Sequence, residues 1–307
     1  MEFIWIPLSV FAALMQAIRT AAQKTLNQSM STMGTTYVRS LAALPIIILA
    51  LCLVLHFEGS GAPEFSSGFV LYTFFGAVTQ VPATALLIRM FTLKSFAVGS
   101  MLVKTDILMT AIVGSVLFSE RITSLGWIAL VVVMLGVLLM LAGKINLSTI
   151  RNGDVFTINS VFGPVGQIAI GCAVMFTLSY LCFREATLIL LPGSFVWRGV
   201  WTVAIASIMQ TLLLGAWLIA REPGVFQQMW ISRRIVSFIG LSSALGSLGW
   251  FTAFALQNAS YVRAVGQIEG VFTLIISWLY FREKISHMEL LGMATMVAGV
   301  LIFRLAQ

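Results

Sequence analysis

Lys104 and Asp106 stand two positions apart in "MLVKTDILMT" (101–110), inside an apolar run from Phe96 to Phe118. A cation and an anion in such surroundings could bind a charged solute, carry a proton, or pair structurally. An ionisable side chain at bilayer depth is expensive, and it usually faces a bundle interior or a water-filled cavity. On a helix of 3.6 residues per turn, positions two apart lie about 200° around the axis from each other. Lys104 and Asp106 therefore do not pair with each other and look toward different neighbours. One reading is a structural ion pair with another helix, for instance Lys104 with Glu269. The other is direct contact with a solute or a coupling ion.

The chain supplies a second copy of this stretch. "VKTDILMTAIVGSVLFSERIT" (103–123) matches "GQIEGVFTLIISWLYFREKIS" (266–286). The match sets Lys104 on Gln267, Asp106 on Glu269, Thr110 on Thr273 and Glu120 on Glu283. "VRSLAALPIIILALCL" from Val38 matches "WRGVWTVAIASIMQTL" from Trp197, placing Arg39 on Arg198, and Gly136 falls on Gly299. Several matched residues are polar, so shared hydrophobicity does not explain the repeat.

Composition says what must position these residues. The 307 residues are 59% hydrophobic and 9% charged. A soluble domain carries about 25% charged residues. Nine per cent cannot clothe a water-soluble surface, so the chain reads as an integral membrane protein. The net charge of +7 is scattered through short connectors and forms no patch, which excludes a nucleic-acid partner. Cys52, Cys172 and Cys182 lie in apolar runs with neither a disulfide framework nor a metal-ligand spacing. "GPVGQIAIG" (163–171) follows no strand and matches no phosphate loop or dinucleotide fingerprint. His56 and His287 fall at helix ends without a catalytic or metal partner. An enzyme is therefore not expected, nor a cofactor or a metal. The first apolar run lacks a basic leader and contains Gln16 and Arg19, so it reads as a transmembrane helix, not a cleaved signal.

A helix needs roughly 20 apolar residues to span the hydrocarbon. Ten runs qualify, at roughly 3–24, 34–55, 68–89, 96–118, 125–142, 164–183, 194–220, 235–256, 262–281 and 288–306. The expected fold is all-α: two five-helix repeats, 1–146 and 164–307, joined by a connector at 147–163. Five is odd, so the second repeat must be inverted in the membrane. Inverted repeats place a solute site near mid-bilayer, between the copies.

The depth of each charge follows. Four of the eighteen Lys and Arg are placed at depth within spans: Arg19, Arg39, Lys104 and Arg198. The other fourteen, Arg184 and Arg263 among them, are placed at helix ends or in connectors. Of eleven acids, only Asp106 and Glu269 lie at depth. Gln16, Arg19 and Gln23 share one helix face, which reads as cavity lining. Arg39 and Arg198 stand about five residues into their spans, so snorkelling to the interface competes with solute contact. Gln80, beside Pro82, and Trp250 are further solute candidates, as is Gln267 by the repeat. Tyr180, Gln257 and Asn258 are weaker ones. Trp5, Trp230 and Trp278 read as interfacial belt residues. Glu120 and Glu283 read as N-terminal caps of the helices that follow them.

Five plus five helices, an Arg near the start of the second helix of each half, "ERIT" and "EKIS" after the fourth and ninth, and a Gly-rich helix thereafter form a pattern. It resembles the drug/metabolite transporter superfamily, EamA type, over essentially the whole chain. In that family the ninth helix often carries a Glu ahead of the turn, and Glu269 before "FREKIS" fits. Ser119 and Arg282 replace the family's Gly before the turn Glu, and Asp106 stands where relatives have an apolar or small residue. The resemblance implies a secondary transporter, an exporter of amino acids or related metabolites in a bacterial plasma membrane. Nucleotide-sugar or organophosphate exchange is the alternative, and a non-transporting membrane enzyme or scaffold is the rival of another class.

Four deep cations against two acids favour an anionic or zwitterionic solute. Asp106 or Glu269 would hold an amine or take up a coupling proton, and exchange against a counter-substrate is the other source of energy. The expected partners are that solute and the lipid bilayer, and a monomer suffices to close the cavity. Ten basic residues in connectors opposite the termini, against four beside them, place the termini outside by the positive-inside rule.

Overall fold

The computed structural model describes residues 3–59, 61–90, 102–144, 163–281 and 286–305, the side chains of 144 and 276–281 excepted. The regular structure there is helical throughout. The elements are α1 (Trp5–Leu26), α2 (Thr32–Leu41), α3 (Leu44–Glu58), α4 (Ser67–Met90), α5 (Asp106–Leu117), α6 (Ser124–Lys144) and α7 (Pro164–Ile189). They continue with α8 (Phe195–Arg221), α9 (Gly224–Ile231), α10 (Arg233–Leu256), α11 (Ala259–Gly266), α12 (Glu269–Phe281) and α13 (His287–Leu305). Eight segments are long and apolar enough to cross a membrane: α1, α2 with α3, α4, α6, α7, α8, α10 and α13. Large apolar side chains point outward from them; Leu49, Leu212 and Leu301 are each more than half exposed. Water would not tolerate that surface, and hydrocarbon would.

The fourth and ninth expected spans are broken. Helical backbone at 102–103 turns at Lys104 and Thr105 before α5 begins at Asp106. In the matched segment α11 ends at Gly266, and Gln267 and Ile268 turn before α12 begins at Glu269. Short-range bonds stitch each break, with Thr105 N–H donating to Leu102 O (3.2 Å) and Ile268 N–H to Val265 O (3.1 Å). Such i to i−3 bonds tighten a helix locally and mark hinges. Thr110 Oγ1 donates to Asp106 O (2.6 Å), and its repeat partner Thr273 to Glu269 O (2.9 Å). No Pro lies at either break, so hydropathy reads each run as one continuous helix. The second span also breaks, at Ala42 and Ala43. There Pro45 has no N–H to give to the carbonyl of Leu41, and Gly240 of α10 closes on the Ala42 carbonyl with no room for a Cβ.

The two repeats interlock. α1 packs along α10, with Gly249 against Ala12, and α4 packs along α7, with Gly76 against the Phe183 ring. The repeat exchanges these two contacts, since α7 is the counterpart of α1 and α4 of α10. α6 packs against α13 backbone to backbone. A Cβ on Gly136 would lie 2.6 Å from Met296 N, and one on Gly292 would lie 2.5 Å from Met140 N. Small residues permit this approach between helices in lipid.

Two expected roles change. Trp5 is 1% exposed and packs against Tyr261 and Phe303, so it belongs to the core, whereas Trp230 is 72% exposed. Trp278 lies outside the residues whose side chains are described. Glu120 caps a helix, but not the next one. Its Oε1 accepts from Ala259 N–H (2.7 Å) and its Oε2 from Ser260 Oγ (2.9 Å), at the start of α11. Hydropathy gives the turn and not which helix end lies across from it. Glu283 lies outside the described residues. α13 starts instead with a reciprocal pair, in which Ser286 N–H donates to Glu289 Oε2 (2.8 Å) and Glu289 N–H to Ser286 Oγ (3.2 Å).

Gly292→Leu should lower the melting temperature of the detergent-solubilised protein, because overpacking costs about 1–3 kcal/mol. Gly171→Ala, whose new methyl would meet Leu86 at 3.8 Å, should leave it unchanged. Equal melting of Gly292→Leu and the parent would contradict the close α6–α13 contact.

Candidate functional site

A cavity of about 210 Å³ lies between the two repeats. α1 contributes Gln16, Arg19, Thr20 and Gln23 from one face, as their spacing predicts. α2 contributes Arg39, and α4 contributes Gln80 and Thr84. The two breaks contribute Lys104, Asp106 and Glu269, and α11 adds Arg263. Phe176, Tyr180, Trp250, Phe251 and Phe254 form an aromatic wall.

Polar bonds within the cavity hold it in shape. Asp106 is 1% exposed, and its Oδ2 accepts from Arg263 Nη2 at 3.1 Å. The Arg263 guanidinium lies 4.3 Å from the Tyr180 ring centroid and 5.2 Å from that of Trp250. Cation–π contact with desolvated rings adds about 2 kcal/mol. The pair ties the head of α5 to α11, the half-helix ahead of the other break. Gln16 makes a second connection, donating from Nε2 to Glu269 Oε2 (2.7 Å) and accepting from Trp250 Nε1 at Oε1 (3.1 Å). Arg39 donates to Thr84 Oγ1 (2.8 Å) and to Gln80 Oε1, which also accepts from Gln210 Nε2 (2.8 Å). Its partners are neutral.

Lys104 and Asp106 do not serve each other, and no ion pair joins Lys104 to Glu269 among the described residues. Asp106 turns instead to Arg263, which the sequence reading assigned to a connector. Arg263 lies six residues before Glu269, about 9 Å along a helix at 1.5 Å per residue. A residue so close to a deep acid is itself deep, and that was the available signal. Arg184 also moves from connector to helix. It lies in α7, 3.3 Å from Glu120 Oε1, and donates to Gln257 O (3.0 Å) and Asn258 Oδ1 (2.8 Å). Gln257 and Asn258 thus belong to this network at the end of α10, away from the cavity.

Two named residues lie elsewhere. Arg198 is buried, and it donates to Thr187 O (3.3 Å) and Ala255 O (2.9 Å) in the last turns of α7 and α10. A cation favours helix C-termini, so Arg198 holds two of them together. Gln267 is 1% exposed and donates to Arg263 O (3.2 Å), behind the cavity surface. The repeat reproduces the backbone at these positions without reproducing the direction of the side chains.

A family model described as the EamA-like transporter family matches residues 3–142 and again 166–305. The chain belongs to the EamA-like transporter family. Its two matches fall on the two repeats, with the cavity between them, and they make the chain a multi-pass membrane protein of a transporter family. A solved structure, titled only as the crystal structure of a protein, resembles this chain's fold with a TM-score of 0.69 at 14% identity. The likeness covers 100% of this chain and 98% of that one, and shows the fold. No curated protein matches the chain.

Removing one partner of a buried ion pair costs about 3–5 kcal/mol, because the other charge is stranded. Asp106→Asn should therefore lower the melting temperature more than Lys104→Gln does. Adding Arg263→Gln to Asp106→Asn should recover part of the loss. Strictly additive effects in this double-mutant cycle would remove the pair from the account.

Proposed function

We propose that the chain is a secondary active transporter moving a small polar anionic or zwitterionic metabolite, such as an amino acid, by alternating access. The observation that carries this reading is a buried cavity between two repeats, lined by four cations and two carboxylates at paired helix breaks. Transporters place solute sites near mid-bilayer at broken helices, where half-helix ends meet charged groups. An enzyme has no need of matched breaks in both repeats, so the rival reading has less behind it. On this proposal the two broken segments complete ten crossings, and the second repeat is inverted. Export is the direction the family resemblance favours.

Size bears on the alternative. A water occupies about 30 Å³ of liquid, so a cavity of about 210 Å³ holds a small solute. That suits amino-acid-sized cargo, with nucleotide-sugar or organophosphate exchange as the alternative. The termini are proposed to lie outside. Moving Arg184 and Arg263 out of the connectors leaves Arg121 and Arg304 beside the termini, which enlarges the basic excess on the opposite side. A bacterial plasma membrane is the proposed location.

Alternating access requires each side to close in turn. The Glu120–Arg184–Asn258 network joins the ends of α5, α7, α10 and α11 on the side where the termini lie, and we assign it the closed gate there. Glu269 is the proposed coupling acid, because Asp106 is paired with Arg263 while Glu269 forms no ion pair among the described residues and accepts from the neutral Gln16 amide.

The test is uptake into proteoliposomes carrying the full chain, with a panel of amino acids and small phosphorylated and carboxylated solutes under imposed pH and solute gradients. Transport of at least one solute is expected. Glu269→Gln should abolish the pH dependence of its rate, and Asp106→Asn should retain it. Movement of no solute under any gradient would overturn the proposal.

A further inference from the structure

The charges around the cavity do not balance, and the imbalance specifies a ligand. Of the eight acids among the described residues, only Asp106 and Glu269 line it. Four cations among the described residues do so: Arg19, Arg39, Lys104 and Arg263. Four positive charges less two negative leaves two positive. The excess is also localised. Arg263 and Asp106 neutralise each other across 3.1 Å. Arg39 is held by the neutral oxygens of Gln80 and Thr84. Arg19 is 9% exposed, and its buried Nε has no hydrogen-bond partner among the described residues. Lys104 forms no ion pair among them. Three cations therefore face one carboxylate, that of Glu269.

Burying unpaired charge away from water is costly, and a bound counter-charge removes that cost. A zwitterionic amino acid adds one charge of each sign and leaves the excess where it was. A monoanion leaves one positive charge uncompensated. A dianion brings the site to neutrality. Guanidinium groups also suit two-oxygen recognition of carboxylate or phosphate. The aromatic wall gives the carbon skeleton an apolar face, with Phe176 stacked on Tyr180 at 5.5 Å and Trp250 on Phe254 at 6.4 Å.

We propose that the cavity selects small solutes of net charge minus two, a phosphate monoester or a dicarboxylate, with the oxyanion held by Arg19, Arg39 and Lys104. This rests on the solute-binding reading of the cavity and narrows it: a simple zwitterionic amino acid is not the preferred ligand. Glu269 sets the charge count by cancelling one cation, and Arg39 sets it from the other side.

The test is equilibrium binding to the purified full chain in detergent near neutral pH, read by calorimetry, with probes that differ in charge. Alanine carries net charge zero, lactate minus one, succinate and glycerol phosphate about minus two, and citrate minus three. The dianions should bind at least tenfold more tightly than lactate, and alanine should give no measurable heat. Succinate against glycerol phosphate decides between the two oxyanions.

Two variants move the count. Arg39→Gln should shift the preference to lactate, and Glu269→Gln should shift it to citrate. Arg198→Gln, outside the cavity, should keep the dianion preference. Alanine binding as tightly as the dianions overturns the inference, as does binding of no probe, or a rank order that is identical in Arg39→Gln, Glu269→Gln and the parent. Dianion binding without transport in any gradient would sink the transport proposal and leave this one standing. Gradient-driven transport of amino acids with no dianion binding would do the reverse.

Discussion

Hydrocarbon offers no partner to a charge or to an open backbone group, and the architecture follows from that constraint. Helices satisfy their own backbones, so the chain spans as helices. Where α5 and α12 begin in mid-segment, the backbone is open and must be enclosed by protein. Each break is closed by short-range bonds and by a threonine hydroxyl on the carbonyl of the acid that follows. The acids cannot face lipid either. Asp106 finds Arg263, and Glu269 finds Gln16. The two breaks and two acids are enclosed between the repeats at the cavity, and Arg19, Arg39 and Lys104 line it with them.

The repeats share a backbone plan and divide the chemistry unequally. Lys104 in one copy corresponds to neutral Gln267 in the other, and Lys104 lines the cavity while Gln267 lies behind it. Arg39 turns inward toward Gln80 and Thr84, whereas Arg198 turns to the carbonyls that end α7 and α10. Each repeat carries a break at matched positions, Lys104–Thr105 and Gln267–Ile268. On the proposed reading, these unmatched side chains give the molecule one oriented site instead of two weak ones. Glycine contacts at Gly136 and Gly292 meanwhile bring α6 and α13 together backbone to backbone.

Much of this was legible in the sequence, for reasons that can be stated residue by residue. The composition and long apolar runs required membrane helices. The match of "VKTD" to "GQIE" placed an acid at equal depth in both halves, and helical spacing separated Lys104 from Asp106. The face formed by Gln16, Arg19 and Gln23 follows from 3.6 residues per turn. The breaks were not legible, because Thr105 and Ile268 are as apolar or small as their neighbours and hydropathy averages across them. Arg263 was missed because it stands one residue inside the expected ninth span and so reads as a helix-end residue, whereas α11 begins earlier, at Ala259. Arg198 reads from its depth in the span as either a solute contact or a snorkelling residue, yet what a long side chain reaches depends on neighbouring helix ends. The cap at Glu120 shows the same limit, since its partners at Ala259 and Ser260 are 139 and 140 residues away.

The central claim is that the cations between the two breaks hold an anionic solute. A density map of the full chain with a phosphate monoester bound tests it most directly. The account predicts phosphorus-centred density within hydrogen-bond distance of Arg19 and Arg39, at the level of the Asp106–Arg263 pair. Solute density at Arg198, or at the Glu120–Arg184 network with the cavity empty, would contradict it.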